Sequence, residues 1–341
     1  MNKLVRVYPS ILRASLLVFI LCIGCALPPP ASRLMIGTRL EDGIERPFSS
    51  AKELRTAGLV NEAMVLVQNN RFFDAERSLR QAHFLQPASE QLTFNLAVVL
   101  SQVGQPEEAS QLLEDLNRRK PGQPAYLVAL ADARIMVGDA NTARELLKRA
   151  FRLFKEAQNY SQAARIARSI SNVSFELGEE QEALCYSHEA YTLEPSAEQL
   201  GWHARILIAL NQFPTALRVL QESINANRGL ASSASVQHAL ALVRFAQGDR
   251  DGALAAEESA LDFINQSPLL GAEVNAAWWV MKRQTVADSE DEELSERLES
   301  MRVEIVDFVE KPNIAITTWP PRLRATLELE MERAVLSAAT S

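Results

Sequence analysis

The feature that most constrains this chain is a period of 34 residues. When Ala88–Pro121 and Gly122–Lys155 are set in register, Gly104 falls on Gly138, Ala109 on Ala143, Leu113 on Leu147 and Leu116 on Ala150. In the first segment Phe94, Leu96, Ala97, Val98 and Leu100 give a helix with an apolar face. Gly104 follows where the chain must reverse, since glycine tolerates positive φ. Pro106-Glu107-Glu108 then has the composition of a helix start, with proline early and carboxylates in the positive first turn. Ala109, Leu113 and Leu116 recur at i, i+4 and i+7, and Pro121 ends the unit. Ala97 and Ala109 are small where paired helices must cross closely. One such hairpin cannot bury its apolar face alone, so the pattern predicts that neighbours stack.

The same marks continue on both sides. Upstream, Leu59, Ala63, Leu66, Phe72, Ala75, Leu79, Ala82 and Pro87 occupy the corresponding positions, with Asn70 replacing the turn glycine. A fourth unit carries Ile170, Gly178, Ala183, Ala190 and Pro195, after about six inserted residues around 155–160. A fifth carries Leu200, Ala204, Leu207, Ala216 and Leu220 with Asn211 at its turn, and a sixth carries Leu240, Ala241, Gly248, Ala253 and Ala260. Over roughly residues 56–264 the chain resembles the tetratricopeptide repeat family. The resemblance implies an all-α fold, a right-handed superhelical solenoid of about six repeats over 51–266. A degenerate repeat and helical cap would follow over 267–341. There, Pro268–Gly271 marks a break, and Val274, Ala277, Trp278, Met281 and Val286 keep helical spacing, with Trp278-Trp279 read as end-of-stack core. A helix is expected over 294–309, and a last one from Pro320-Pro321 to about Ser337.

The first residues bear on location. Lys3, Arg6 and Arg13 precede an uncharged apolar stretch of 14 residues ending before Pro28. As a helix that is about 21 Å, against about 30 Å of hydrocarbon, so residues 1–24 read as a signal peptide rather than a membrane span. Leu21-Cys22-Ile23-Gly24-Cys25 resembles the bacterial lipoprotein processing motif, which implies cleavage before Cys25 and acylation of its thiol. Ala26 stands where aspartate would signal inner-membrane retention, so the resemblance implies the periplasmic side of the outer membrane. Residues 25–50 read as a Pro-rich tether, since Pro28, Pro29 and Pro30 disfavour helix. Only Cys185 would then remain, which excludes an intramolecular disulfide in the mature chain; on a second helix it reads as a small buried hydrophobe.

No catalytic constellation is visible. His83, His188, His203 and His238 fall in different units without the i, i+4 spacing of a zinc helix, and the glycines are isolated at turns. Carboxylate pairs such as Glu107-Glu108 and Glu179-Glu180 follow turns, as helix starts do. The chain is therefore read as non-enzymatic, with no cofactor and no metal. The net charge of −8 becomes −11 without the signal, which opposes nucleic-acid binding.

In tetratricopeptide folds the first helix of each unit lines a concave face. Carried onto this sequence, that face comprises Val60, Met64, Phe94, Val98, Val128 and Ile135, mostly apolar, then Arg165, Arg168, Asn172 and Arg205, basic and polar. The apolar positions would equally serve packing between helices. Arg168 and Asn172 only partly resemble the family's lysine–asparagine clamp for C-terminal carboxylates, and Trp202 stands where a further asparagine would be needed. Anchor and repeats together resemble lipoproteins of pilus or secretion-pore assembly. Polysaccharide export factors and regulators of cell-wall enzymes share these features. The expected partner is a protein, as a peptide or helix in the groove, with membrane attachment through the lipid.

Overall fold

The computed structural model describes residues 38–41, 44–47, 50–264, 268–286, 298, 301 and 318–340. Among them are two short strands and fourteen α-helices. The helices are α1 (Ala51–Gln68), α2 (Phe72–Leu85), α3 (Glu90–Gln102), α4 (Pro106–Arg119), α5 (Pro124–Val137), α6 (Ala140–Glu156) and α7 (Tyr160–Glu176). They continue as α8 (Glu180–Leu193), α9 (Ala197–Ala209), α10 (Phe213–Ala226), α11 (Ala234–Gln247), α12 (Arg250–Asp262), α13 (Pro268–Val286) and α14 (Pro321–Thr340). The chain divides into two compact units between Gln158 and Asn159. The first contains hairpins α1–α2, α3–α4 and α5–α6; the second contains α7–α8, α9–α10, α11–α12 and then α13 and α14. The fold class is all-α.

All six hairpins close in the same way. The turn residue is left-handed each time: Asn70 (φ 58°), Gly104 (81°), Gly138 (91°), Gly178 (78°), Asn211 (59°) and Gly248 (89°). The next residue's N–H then donates to the carbonyl five positions back, from Arg71 to Leu66 through Asp249 to Arg244, at 2.8–3.0 Å. This is the double-bonded helix ending that satisfies carbonyls orphaned at a C-terminus. Asparagine fills the position twice because it tolerates positive φ better than other side chains do.

The inserted residues between the third and fourth hairpins do not form a loop. They lengthen the two helices that flank them: α6 and α7 have 17 residues each, whereas α3, α4 and α5 have 13 or 14. The boundary between the two units falls directly after α6, at a left-handed Gln158.

In the first unit, alanines make the crossings. Ala63, Ala75, Ala82, Ala97, Ala109, Ala131 and Ala143 are all buried, and Leu79, Leu100, Leu113, Leu116, Leu127 and Leu147 fill the space between them. Arg80 joins the first two hairpins by a forked pair of bonds to Glu108, at 2.6 and 2.7 Å. The Arg80 hydrogen bond holds the Glu108 carboxyl below its ordinary value. Arg134 reaches Glu114 through a single Nη2 contact between α5 and α4. These pairs are half-exposed, so each contributes at most about 1 kcal/mol and packing dominates.

Three expectations need correction or limitation. Within the stretch read as an extended tether, Thr38–Glu41 and Ile44–Pro47 pair as antiparallel strands, Thr38 opposite Pro47. The sequence between them, Asp42-Gly43, is a dipeptide that two-residue hairpins favour. Cys185 is exposed, not buried. On α8 the inward positions are Ala183, Ser187 and Ala190, and two residues past Ala183 the helix has turned about 200° away from them. The signal peptide, Cys25, residues 25–37 and most of 294–309 lie outside the described residues. No described helix is long and apolar enough to cross a membrane.

Gly201, on α9, marks a close approach within the second unit. A Cβ there would lie 2.1 Å from the Ser235 hydroxyl and 2.7 Å from its carbonyl oxygen. Gly58, also mid-helix, has nothing within 4 Å of the corresponding position. Gly201→Ala is expected to destabilise by roughly 1–3 kcal/mol through overpacking. Gly58→Ala should stabilise by about 0.5–1 kcal/mol through helix propensity. Urea unfolding of the two variants should give opposite shifts; shifts of the same sign would contradict this packing.

Candidate functional site

The groove residues read from the sequence meet different fates. In the first unit, Met64, Phe94, Val128 and Ile135 are 7%, 7%, 2% and 1% exposed. Only Val60 and Val98 are half-exposed. The Phe94 ring sits 5.4 Å from that of Tyr126 on the next hairpin. These four residues are therefore packed, and the expectation of an open apolar groove through them is corrected to interhelical core. Asp132, one turn from Val128 on α5, was passed over by the sequence reading; it is 6% exposed, and burial pushes its carboxyl up to about 7.

In the second unit, Arg165, Arg168 and Asn172 lie at i, i+3 and i+7 on α7 and so share one face, all half-buried. Arg165 Nη2 and Asn172 Oδ1 are buried without a hydrogen-bond partner among the described residues. Buried polar atoms are normally paired, so such atoms call for a partner. Arg168 is engaged differently. Its guanidinium lies 5.7 Å from the centre of the Trp202 ring and 3.6 Å from the Glu198 carboxylate.

Arg205 is not a groove cation. It is 6% exposed, and its Nη2 donates to Glu273 Oε1 at 2.7 Å and to Thr318 Oγ1 at 2.9 Å. Its Nε also donates to Thr318, at 3.1 Å. The face on which it was expected to meet a partner is covered by the chain's own later segments, α13 and Thr318–Trp319.

That contact belongs to a buried ionic cluster. His238 is fully buried, with Nδ1 2.7 Å from Glu257 Oε1 and Nε2 3.1 Å from Glu273 Oε1. Trp319 Nε1 donates to the same Glu273 oxygen at 3.0 Å. Burial alone would lower the His238 pKa, but the two carboxylates outweigh it and raise it to about 9. Burial would likewise raise Glu273, yet Arg205, His238 and Trp319 bring it down to about 2. Burial pushes Glu257 up against the pull of His238. His238 thus bridges Glu257 and Glu273 through its two ring nitrogens, and Arg205 shares Glu273 with it. Among the described residues no group of three or more His, Cys, Asp or Glu could hold a metal.

The histidines are not as separate as their placement in different repeats implied. His188 and His203 stand 5.3 Å apart between ring centroids. Burial, then His188, lowers the His203 pKa to about 4, and its Nδ1 is 2.8 Å from Ser187 Oγ. The cluster around Glu273 did leave a trace in the sequence. Glu257 interrupts the apolar run Ala253, Ala256, Ala260 at i+4, and His238 sits four residues after Ala234 and before Leu242, on the buried face of α11.

These ionisations couple to stability with a definite sign. His238 is raised above its ordinary 6.5, so its contribution is complete below pH 6.5 and is lost as pH rises through about 9. Glu273 is depressed below 4.5, so its contribution is complete above pH 4.5 and is lost as pH falls through about 2. All four tryptophans lie between 202 and 319, so their fluorescence reports the second unit. The urea midpoint measured by fluorescence should fall from about pH 7 toward pH 9 as His238 loses its proton. In His238→Gln the midpoint should be lower overall and fall less steeply than the wild type from about pH 7 to 9. A variant as steep as the wild type would contradict the assignment.

Residues 66–133 match the family model described as tetratricopeptide repeat. A search of the curated proteins returns no match. Among solved structures, the chain is similar to that described as the functional characterization of Pseudomonas aeruginosa pilF. The two are 16% identical, with 67% of this chain and 99% of that one covered and a TM-score of 0.48. It is similar to the APC/C hetero-tetramer Cut9–Hcn1, with 16% identity, 65% and 42% coverage and a TM-score of 0.45. It is also similar to YrrB, a TPR protein with an unusual peptide-binding site, with 16% identity, 56% and 94% coverage and a TM-score of 0.39. Six identically closed helix–turn–helix units and the match over 66–133 make this an all-α tetratricopeptide repeat fold, the kind of scaffold through which proteins bind one another.

Proposed function

We propose that the chain is a lipid-anchored scaffold that holds another protein during bacterial envelope assembly, most specifically in pilus or secretion-pore biogenesis. The binding half of this reading is carried by α7, where Arg165 Nη2 and Asn172 Oδ1 share one helix face and lack partners among the described residues. A carboxylate and an adjacent donor from a partner segment would complete both, and charge-assisted bonds to guanidinium are the stronger class. The anchoring half is supported by Leu21-Cys22-Ile23-Gly24-Cys25 behind a short apolar core with a basic start. Attachment through Cys25 would place the repeats on the periplasmic side of the outer membrane.

A photo-crosslinking residue at Arg165 should capture the partner in cells, whereas one at Arg218, on the outward part of α10 and 63% exposed, should not. Arg165→Glu should lower partner recovery, more so at low salt than at high salt. Cys25→Ala should abolish fatty-acid labelling and release the protein from membranes. Equal capture at both positions, with recovery unaffected by Arg165→Glu, would overturn the α7 site. Unchanged labelling and fractionation of Cys25→Ala would overturn the anchor.

A further inference from the structure

The second unit holds a cavity of about 590 Å³ lined by Phe245, Gly248, Arg250, Arg322, Ala325 and Thr326. Its two cations come from separate elements. Arg250 opens α12 directly after the left-handed turn at Gly248 and Asp249, and Arg322 is the second residue of α14. Both are exposed, and neither forms an ion pair among the described residues. Asp249, the neighbouring carboxylate, is taken up in capping α12, where it accepts from Gly252 N at 3.0 Å. The lining thus offers two guanidiniums and no carboxylate, on a chain whose net charge is −8.

The rest of the lining is of another character. Phe245 is 8% exposed, so it presents only part of its ring, and Ala325 and Gly248 add further apolar surface. The volume lies in the range that accommodates several side chains, far more than a small anion fills. The lip carrying Arg322 is also fixed in place. Two residues before α14, Trp319 is buried and bonded to Glu273, and Thr318 receives Arg205. The helix start that carries Arg322 is therefore fixed, and its exposed guanidinium presents the planar fork that matches a carboxylate.

We propose that this cavity is a second partner-docking site, and that it takes an acidic peptide segment. Carboxylates of the segment bridge Arg250 and Arg322, and an apolar side chain between them covers Phe245 and Ala325. The proposal rests on the reading of the chain as a protein-binding scaffold, but it concerns a surface separate from α7. Inorganic phosphate could satisfy the two arginines and would leave the apolar floor uncovered, so occupancy by phosphate alone is the competing outcome.

The test uses the full chain and a short fluorescent peptide, acetylated and amidated, in which glutamate alternates with leucine. Fluorescence anisotropy should show saturable binding that weakens as salt rises. Arg250→Glu and Arg322→Glu should each weaken it by about tenfold or more. A glutamine–leucine peptide should bind far less well, as should a glutamate–serine peptide. Tryptophan fluorescence and helicity should be unchanged in both variants, because the two side chains are exposed. Equal affinity of wild type and both variants for the peptide would overturn the proposal. Displacement of the peptide by equimolar inorganic phosphate would also overturn it, in favour of a simple anion site. Should cellular crosslinking at Arg165 persist while the peptide ignores both arginines, the cavity proposal fails and the scaffold reading stands. Should the peptide bind through both arginines while no partner is captured at Arg165, the α7 reading fails alone.

Discussion

A single carboxylate oxygen, Glu273 Oε1, accepts from Arg205, His238 and Trp319, and the second unit is arranged around it. The donors come from α9, α11 and the segment leading into α14, and the acceptor from α13. Burying one charge would be prohibitive, and burying one pair is often no better than apolar packing. Here Arg205 and His238 both meet Glu273, and His238 also meets Glu257, whose ionisation burial opposes. What this arrangement provides is register. Removing one member leaves an uncompensated charge in the interior, typically at a cost of about 3–5 kcal/mol, so an alternative seating of the C-terminal segment is strongly disfavoured.

The first unit reaches the same hairpin geometry by other means. Its interior is alanine and leucine, and its ion pairs, Arg80 with Glu108 and Lys120 with Glu90, lie on the surface, where solvent weakens them. Its buried carboxyl, Asp132, has been raised by burial toward a neutral form instead of being matched with a cation. One repeat plan therefore supports two kinds of core. The first depends on close packing around one buried carboxyl, and the second on packing plus a buried ion pair, so the two interiors are tied to pH through different groups.

Much of the fold was legible from sequence because it is local and repeated. The left-handed turns at Gly104, Gly138, Gly178 and Gly248, and their replacement by Asn70 and Asn211, follow from which residues tolerate positive φ. Helical spacing marked the buried alanines. The site was harder to read, because the family's concave positions say where a side chain begins and not what covers it. Arg205 has the right position for a groove cation, yet Glu273 lies 68 residues away in sequence and Thr318 lies 113 residues away. No periodicity links residues so far apart. Phe94 and Ile135 were ambiguous for the opposite reason, since apolar groove and apolar core have the same composition. Cys185 was misread because residue type was allowed to outweigh its angular position on α8.

Repeat arrays change length by gaining or losing whole hairpins, and stacking by itself imposes no limit on where this happens. The bond from Arg205 to Glu273 does impose one. An extra hairpin inserted anywhere between α10 and α13 would carry Glu273 a full repeat away from its guanidinium, and a deletion there would remove His238 or Glu257. Duplication among α1–α6 would disturb no such pairing. The number of hairpins between α9 and α13 is thus fixed by one buried ion pair, while the array before α9 remains free to grow.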